Sequence, residues 1–200
     1  MLAAESTNPA NAKGLARAID IIVSAEIAQD TERWTFAPSV RSCLRKIGGK
    51  TAVLFSLAAR AGAAEARAPA QIVSMLSRAA WAAGIAFQIQ DDILDWQGDE
   101  TKLGKSVMND LAEGFCTLPL AYALASEGDH LRPLLTPEAV RNGSSVEISS
   151  IVKKSLSLER ATTTANAYCD RSLRDLAKLP SSFERDALSI IFSSFVNRIR

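Results

Sequence analysis

Residues 69–96 read PAQIVSMLSRAAWAAGIAFQIQDDILDW. The apolar positions keep a helical period rather than alternating, and Pro69 stands at the start while Gly98 follows the end. The stretch predicts the longest helix of the chain, from Pro69 to about Trp96. Working back, Lys50 to Ala61 reads as a helix ending at Gly62, and Pro38 opens a short one that stops near Gly48–Gly49. From Pro9 to Gln29, Leu15, Ile19, Ile22, Val23 and Ile27 recur at spacings of three and four, one face of a further helix behind Asn8 as N-cap. Working forward, Gly98 to Lys105 reads as a loop. Val107 to Ser126 reads as a helix with a kink or a break at Pro119, and Gly128 to Gly143 as a connection. Two last helices follow, about Ser145 to Leu179 and Ser182 to Arg198, the second with a stripe of Leu188, Ile191, Phe195 and Ile199. No strand pattern, repeat or dividing linker interrupts this order. The expected fold is all-α, a helical bundle in a single domain spanning residues 1–200.

Composition agrees. Of 200 residues, 48% are apolar and 22% charged, which excludes a disordered or low-complexity chain. Lys and Arg number 23 against 22 Asp and Glu, so no charged field points to nucleic acid. Cys43, Cys116 and Cys169 are odd in number and unpaired in spacing, as expected of reduced thiols in an intracellular chain. His130 stands alone and cannot build a zinc site. The first residues lack a basic segment followed by an apolar one, so no secretory signal is read. The most apolar window, Ala79 to Ile89, is too short to span a bilayer and is bounded by Arg78 and by Asp91–Asp92. A cytoplasmic protein without an integral membrane segment is expected.

Chemistry concentrates at the end of the long helix. In Asp91-Asp92-Ile93-Leu94-Asp95, residues four apart share a face, so Asp91 and Asp95 present carboxylates to one point while Asp92 is turned about 100° away. Three acids in one turn repel each other and oppose the negative end of the helix dipole. A hard cation relieves both, and Mg²⁺ is held by one or two carboxylates together with substrate phosphates. Gln88 lies one turn earlier, placed either to orient a substrate or as a buried structural amide. Gly48-Gly49-Lys50-Thr51 invites a nucleotide-loop reading, but the phosphate loop requires glycine at position 44, which is Leu44, after a strand that is not there. Two readings of these residues remain: an anion site at a helix N-terminus, or a plain helix end followed by a new helix. Lys105 supplies a loop cation near the acids, and Asp110 and Glu113 sit where a following helix dipole favours them.

In combination these residues resemble the trans-isoprenyl diphosphate synthases, or polyprenyl synthetases. Gly84 to Gln88 with Ile89-Gln90-Asp91-Asp92-Ile93-Leu94-Asp95 is similar to that family's second aspartate-rich motif. Lys50-Thr51-Ala52-Val53-Leu54-Phe55 is similar to its Lys-Thr motif, and Glu26 with Gln29 to an earlier Glu-x-x-Gln element. Leu103-Gly104-Lys105, Asp110-Leu111, Glu113-Gly114 and Thr117-Leu118-Pro119-Leu120 follow in the family's order, as do Tyr168, Leu173, Leu179-Pro180 and Arg198. The resemblance implies an all-α fold around a cavity and head-to-tail, Mg²⁺-dependent prenyl transfer from an allylic diphosphate to isopentenyl diphosphate. It implies Asp91, Asp92 and Asp95 as metal ligands and Lys50 and Lys105 as holders of the allylic diphosphate. Thr51 and Gln88 would face the developing carbocation.

The pattern is partial. Asp91–Asp92 is the only adjacent aspartate pair, so the family's first aspartate-rich motif has no counterpart. The basic segment that binds isopentenyl diphosphate is also absent, and Phe115 stands where many members carry a lysine. The expectation is an incomplete synthase domain lacking the family's N-terminal helices, inactive alone and needing a partner or a missing N-terminal part. The alternative is a non-catalytic regulatory subunit. Such a bundle should expose an apolar patch and associate with a copy of itself or another synthase chain.

Overall fold

The computed structural model describes residues 9–37, 39–97 and 108–197, and no strand occurs among them. Its main helices are α1 (Pro9–Thr31), α2 (Val40–Ile47), α3 (Val53–Glu65), α4 (Ala70–Gln97), α5 (Asn109–Ala112), α6 (Leu118–Leu131), α7 (Ser145–Lys154), α8 (Ser157–Leu176) and α9 (Phe183–Ser194). The expected all-α bundle is what the chain forms. Lys105, Ile199 and Arg198 lie outside the described residues, as does the expected loop from Gly98.

α4 is the central helix, packed chiefly against α8 and α3. By length and hydropathy alone it is sufficient to cross a bilayer, longer than the Ala79–Ile89 window suggested. Its place is the core instead: Ala79, Ala82, Ile85, Ala86 and Ile89 are inaccessible to solvent. A helix that is apolar on every side is a buried helix. Its alanines let neighbours come close. Ala161, Ala165 and Ser172 of α8 are fully buried, and the Ser172 hydroxyl donates to the Ala79 carbonyl at 2.7 Å. Gly84 faces the Ala52 Cα and the Phe55 ring so closely that a Cβ there would require the α3–α4 crossing to open. Ile85, Ile89 and Ile93 anchor the core under the acidic end, each contributing roughly 2 kcal/mol by burial.

Several sequence expectations change. Gly48 and Gly49 do not end a helix. Gly48 keeps right-handed helical angles, and Gly48–Ala52 winds as one π-helical turn that joins α2 to α3 without a break. The glycines are there for close approach. A Cβ on Gly48 would press on the Trp81 ring, and one on Gly49 would come 3.1 Å from the Ala25 Cβ. Lys50 and Thr51 therefore have no helix N-terminus, and the anion reading through free backbone amides is excluded.

Of the kink or break expected at Pro119, the chain shows a break: Pro119 lies at the start of a new helix. It occupies the first turn of α6, where its missing N–H is no loss, after Thr117 in an extended conformation. The expected helix from Val107 is therefore two, α5 and α6, separated by Gly114 at φ +82°. α6 in turn runs through Gly128 to Leu131, with a kink at Glu127 (φ −119°, ψ 23°). The span from Ser145 to Leu179 is likewise broken, at Ser155, whose ψ of 159° is extended. There the Ser157 hydroxyl donates to the Val152 carbonyl at 3.0 Å and satisfies the helix end.

Only part of the apolar stripe of α1 turns inward. Leu15 and Ile22 are half-buried, whereas Ile19, Val23 and Ile27 are 51%, 49% and 62% exposed. The inward side carries Gly14, Ala18 and Ala25, and Ala25 and Ile21 lie against the π-helical turn at Gly49. On α9, Phe192 is buried and Ile191 exposed, one position off the expected stripe.

Candidate active site

The π-helical turn, the acidic end of α4 and the segment entering α6 enclose one pocket, lined among others by Lys46, Lys50, Thr51, Gln88, Asp92 and Asp110. π-turns aim side chains that a regular helix would carry away, and functional sites use them often. Here the turn presents Lys50 and Thr51 to neighbouring helices. The Lys50 ammonium sits 3.1 Å from Glu26 Oε1 and donates to Gln29 Oε1 at 3.5 Å, both on α1. Thr51 Oγ1 donates to Gln88 Oε1 at 2.7 Å, and Gln88 Nε2 donates to Asp92 Oδ1 at 3.0 Å. Three elements of the sequence reading (Glu26 with Gln29, Lys50 with Thr51, and Gln88 with Asp92) thus meet at the π-helical turn, through Lys50 on one side and Thr51 on the other.

The carboxylates are crowded and poorly solvated. Asp92 is 6% exposed, and burial pushes its carboxyl well above the usual carboxylate range. Asp95 is also raised by burial, against backbone donors at Asn109 and Asp110 that lower it. The Asn109 N–H donates to Asp95 Oδ1 at 3.3 Å, which carries Asp110 into the cluster. Asp110 is pushed up to about 6, first by burial and then by the negative charge of Asp95, with Lys50 pulling the other way. Asp95 Oδ2 is buried without a hydrogen-bond partner.

An orphaned buried carboxylate oxygen among acids held above their normal range fits a divalent cation, which would supply the missing partner and the missing charge. Among the described residues no three such groups converge into a preformed site. Asp91 and Asp95 share a face of α4, while Asp92 turns to Gln88 and the pocket.

The cluster makes a pH prediction. Because the folded Asp110 carboxyl binds its proton more tightly than an unfolded one, its protonation favours the fold. Without divalent metal, stability should rise as pH falls from 7.5 through 6 toward 5, by on the order of 1–2 kcal/mol for Asp110. Urea midpoints across that range measure it, and Asp110→Asn should flatten the rise. A midpoint that falls over the same window would contradict the reading.

Lys46 and Asp110 were underread from sequence. Lys46 lines the pocket with its ammonium 2.7 Å from Glu32 Oε2. The expected helix break at Gly48 concealed it; in a continuous helix a lysine one turn before Lys50 is a visible signal. In sequence Asp110 reads as an acid at a helix start and as part of the Asp110-Leu111 pair in the family's order, with no sign that it joins the carboxylates of α4. Phe115 also lines the pocket, under the Arg33 guanidinium at 4.8 Å.

The fold has counterparts among known proteins. Residues 1–153 match the family model for polyprenyl synthetase, and the chain belongs to that family. It is 34% identical over 185 residues to heptaprenyl diphosphate synthase component 2 of Geobacillus stearothermophilus, across 92% of this chain and 58% of that protein. The crystal structure of heptaprenyl diphosphate synthase from Staphylococcus aureus superposes with a TM-score of 0.90 at 25% identity, over 96% of this chain and 61% of that one. Polyprenyl synthase from Caulobacter crescentus, solved with calcium and isoprenyl diphosphate, superposes at 0.89 with 29% identity, over 98% and 61%. The chain spans about 60% of the length of these relatives.

Proposed function

We propose that this chain is the part of a trans-prenyltransferase that grips and ionises an allylic diphosphate, for head-to-tail condensation with isopentenyl diphosphate. The observation that carries the reading is the hydrogen-bonded chain Thr51–Gln88–Asp92, which lines one pocket with Lys50 beside the crowded carboxylates. Lys50, braced by Glu26 and Gln29, binds a phosphate oxygen of the allylic substrate, and Lys105 binds another. Asp91, Asp92 and Asp95 hold Mg²⁺, with Asp110 beside them. Bound there, magnesium neutralises the charge that builds on the departing diphosphate. Thr51 fixes the Gln88 amide so that its carbonyl oxygen, rather than its NH₂, faces the cationic carbon end. The NH₂ is already committed to Asp92.

The second set of carboxylates and the isopentenyl diphosphate site come from another polypeptide segment, most simply a partner synthase chain. The Geobacillus relative is named as one component of its enzyme, which supports a partnered role. So does the exposed Ile19, Val23 and Ile27 stripe of α1, an apolar surface suited to a partner.

Purified alone with Mg²⁺, the chain should turn over allylic plus isopentenyl diphosphate poorly or not at all. Combined with a synthase chain that supplies a second aspartate-rich helix, it should be active, and Asp91→Ala should abolish that activity. Robust turnover by the isolated chain would overturn the need for a partner. Unchanged activity of Asp91→Ala in the complex would instead make this a regulatory subunit.

A further inference from the structure

The pocket wall carries a feature that prenyl transfer does not use. Cys43, on the buried side of α2, points its thiol at the Cys116 carbonyl, 3.7 Å away, and both residues line the pocket. The Cys116 thiol points to the neighbouring Thr117 carbonyl at 3.9 Å, so the two side chains meet at the Cys116 backbone. They are separated by 73 residues in sequence, so only the fold brings them together. Both are free, as is Cys169, which is buried elsewhere with its thiol on the Phe192 carbonyl.

We propose that Cys43 and Cys116 form a vicinal dithiol, a modification site that closes to an intramolecular disulfide under hydrogen peroxide and binds trivalent arsenicals when reduced. The Cys43 sulfur is the nucleophile of the pair. The neighbouring Cys116 side chain and the Lys46 ammonium outweigh burial and hold its proton less tightly than usual, whereas Cys116 is shifted upward. Cys43 sulfur attacks one peroxide oxygen, the O–O bond breaks, and the hydroxide released takes the thiol proton as water. Cys116 sulfur then attacks the Cys43 sulfenic acid, the S–O bond breaks, and the second hydroxide leaves with the Cys116 proton. Two thiols and one peroxide give one disulfide and two waters. The Cys43 sulfur already rests against the Cys116 backbone, so closure requires the Cys116 side chain to turn from the Thr117 carbonyl toward it. The product ties α2 to the segment entering α6 beside Lys46. The proposal is independent of the diphosphate reading.

The test uses the whole folded chain. After equimolar peroxide, thiol counting in denaturant should fall from three free cysteines to one, and the remaining thiol should be Cys169. Non-reducing peptide mapping should find Cys43 joined to Cys116, two hydrogens lighter and restored by dithiothreitol. Phenylarsine oxide should protect the same two thiols of the reduced chain. In Cys116→Ser, Cys43 should stop at a sulfenic acid that dimedone traps. Three surviving thiols, disulfide-linked dimers as the main product, or loss of Cys169 first would each overturn the proposal. The wild-type measurements stand even where the variant fails to fold.

Discussion

Gly114→Val should cost about 3 kcal/mol or more of stability, a large share of what a domain this size has. Gly114 adopts φ +82°, where any side chain is strained, and a Cβ built there overlaps Trp34 Cε2, Cδ2 and Nε1. The contact is a docking point between distant segments. The Trp34 N–H donates to the Gly114 carbonyl at 2.9 Å, and Arg33 Nε donates to the Glu113 carbonyl at 2.7 Å. Phe36, 3% exposed, meets Trp34 edge to face at 5.9 Å. Breaking this clamp frees the turn after α1 from the segment that positions Asp110 and Phe115. The urea midpoint should drop with little change in slope. A shift below about 0.5 kcal/mol would mean that the turn yields, and that the clamp is not what holds the segment.

The second large effect falls on binding, not on stability. Lys50→Ala should weaken binding of magnesium pyrophosphate roughly 100-fold, the loss of a charge-assisted contact to a phosphate oxygen. Its own ion pair with Glu26 is about half exposed on both sides and contributes little to folding. The variant should therefore unfold within about 0.5 kcal/mol of the parent. Lys50→Arg should recover part of the affinity, because the charge remains while the geometry changes. Calorimetric titration distinguishes these cases. Equal affinity for the parent and Lys50→Ala would remove Lys50 from the site.

Where the sequence was legible, periodicity carried it. The long helix through Asp95 and the all-α class follow from spacing alone, because α4 is apolar at every turn and must be buried. The site was legible through its motifs: Lys50-Thr51 and Gln88 with Asp92 are far apart in the chain, yet Thr51, Gln88 and Asp92 hydrogen-bond in series in the pocket that Lys50 also lines. What misled were residues whose local meaning is overridden by packing. Gly48 and Gly49 resemble a helix end, yet they serve the approach of α1 and α4 to a π-turn that no periodicity announces. Pro119 resembles an interruption because the positive φ of Gly114 five residues earlier, which ends the preceding turn, leaves little trace in sequence. The stripe of α1 has a helical period with either side inward, and Leu15 and Ile22 turn in while Ile19, Val23 and Ile27 stay out. Asp110 was hidden because its neighbours are set by the Asn109 contact to Asp95, a tertiary contact.

We propose that the acidic end of α4 and the Lys50 pocket form one metal-dependent diphosphate site. Titration of an allylic diphosphate into the chain, with Mg²⁺ and then with chelator, tests it most directly, with Asp95→Asn alongside. Saturable binding that requires Mg²⁺ and is lost in Asp95→Asn is the predicted result. Binding that survives the chelator, or that Asp95→Asn leaves unchanged, would contradict it.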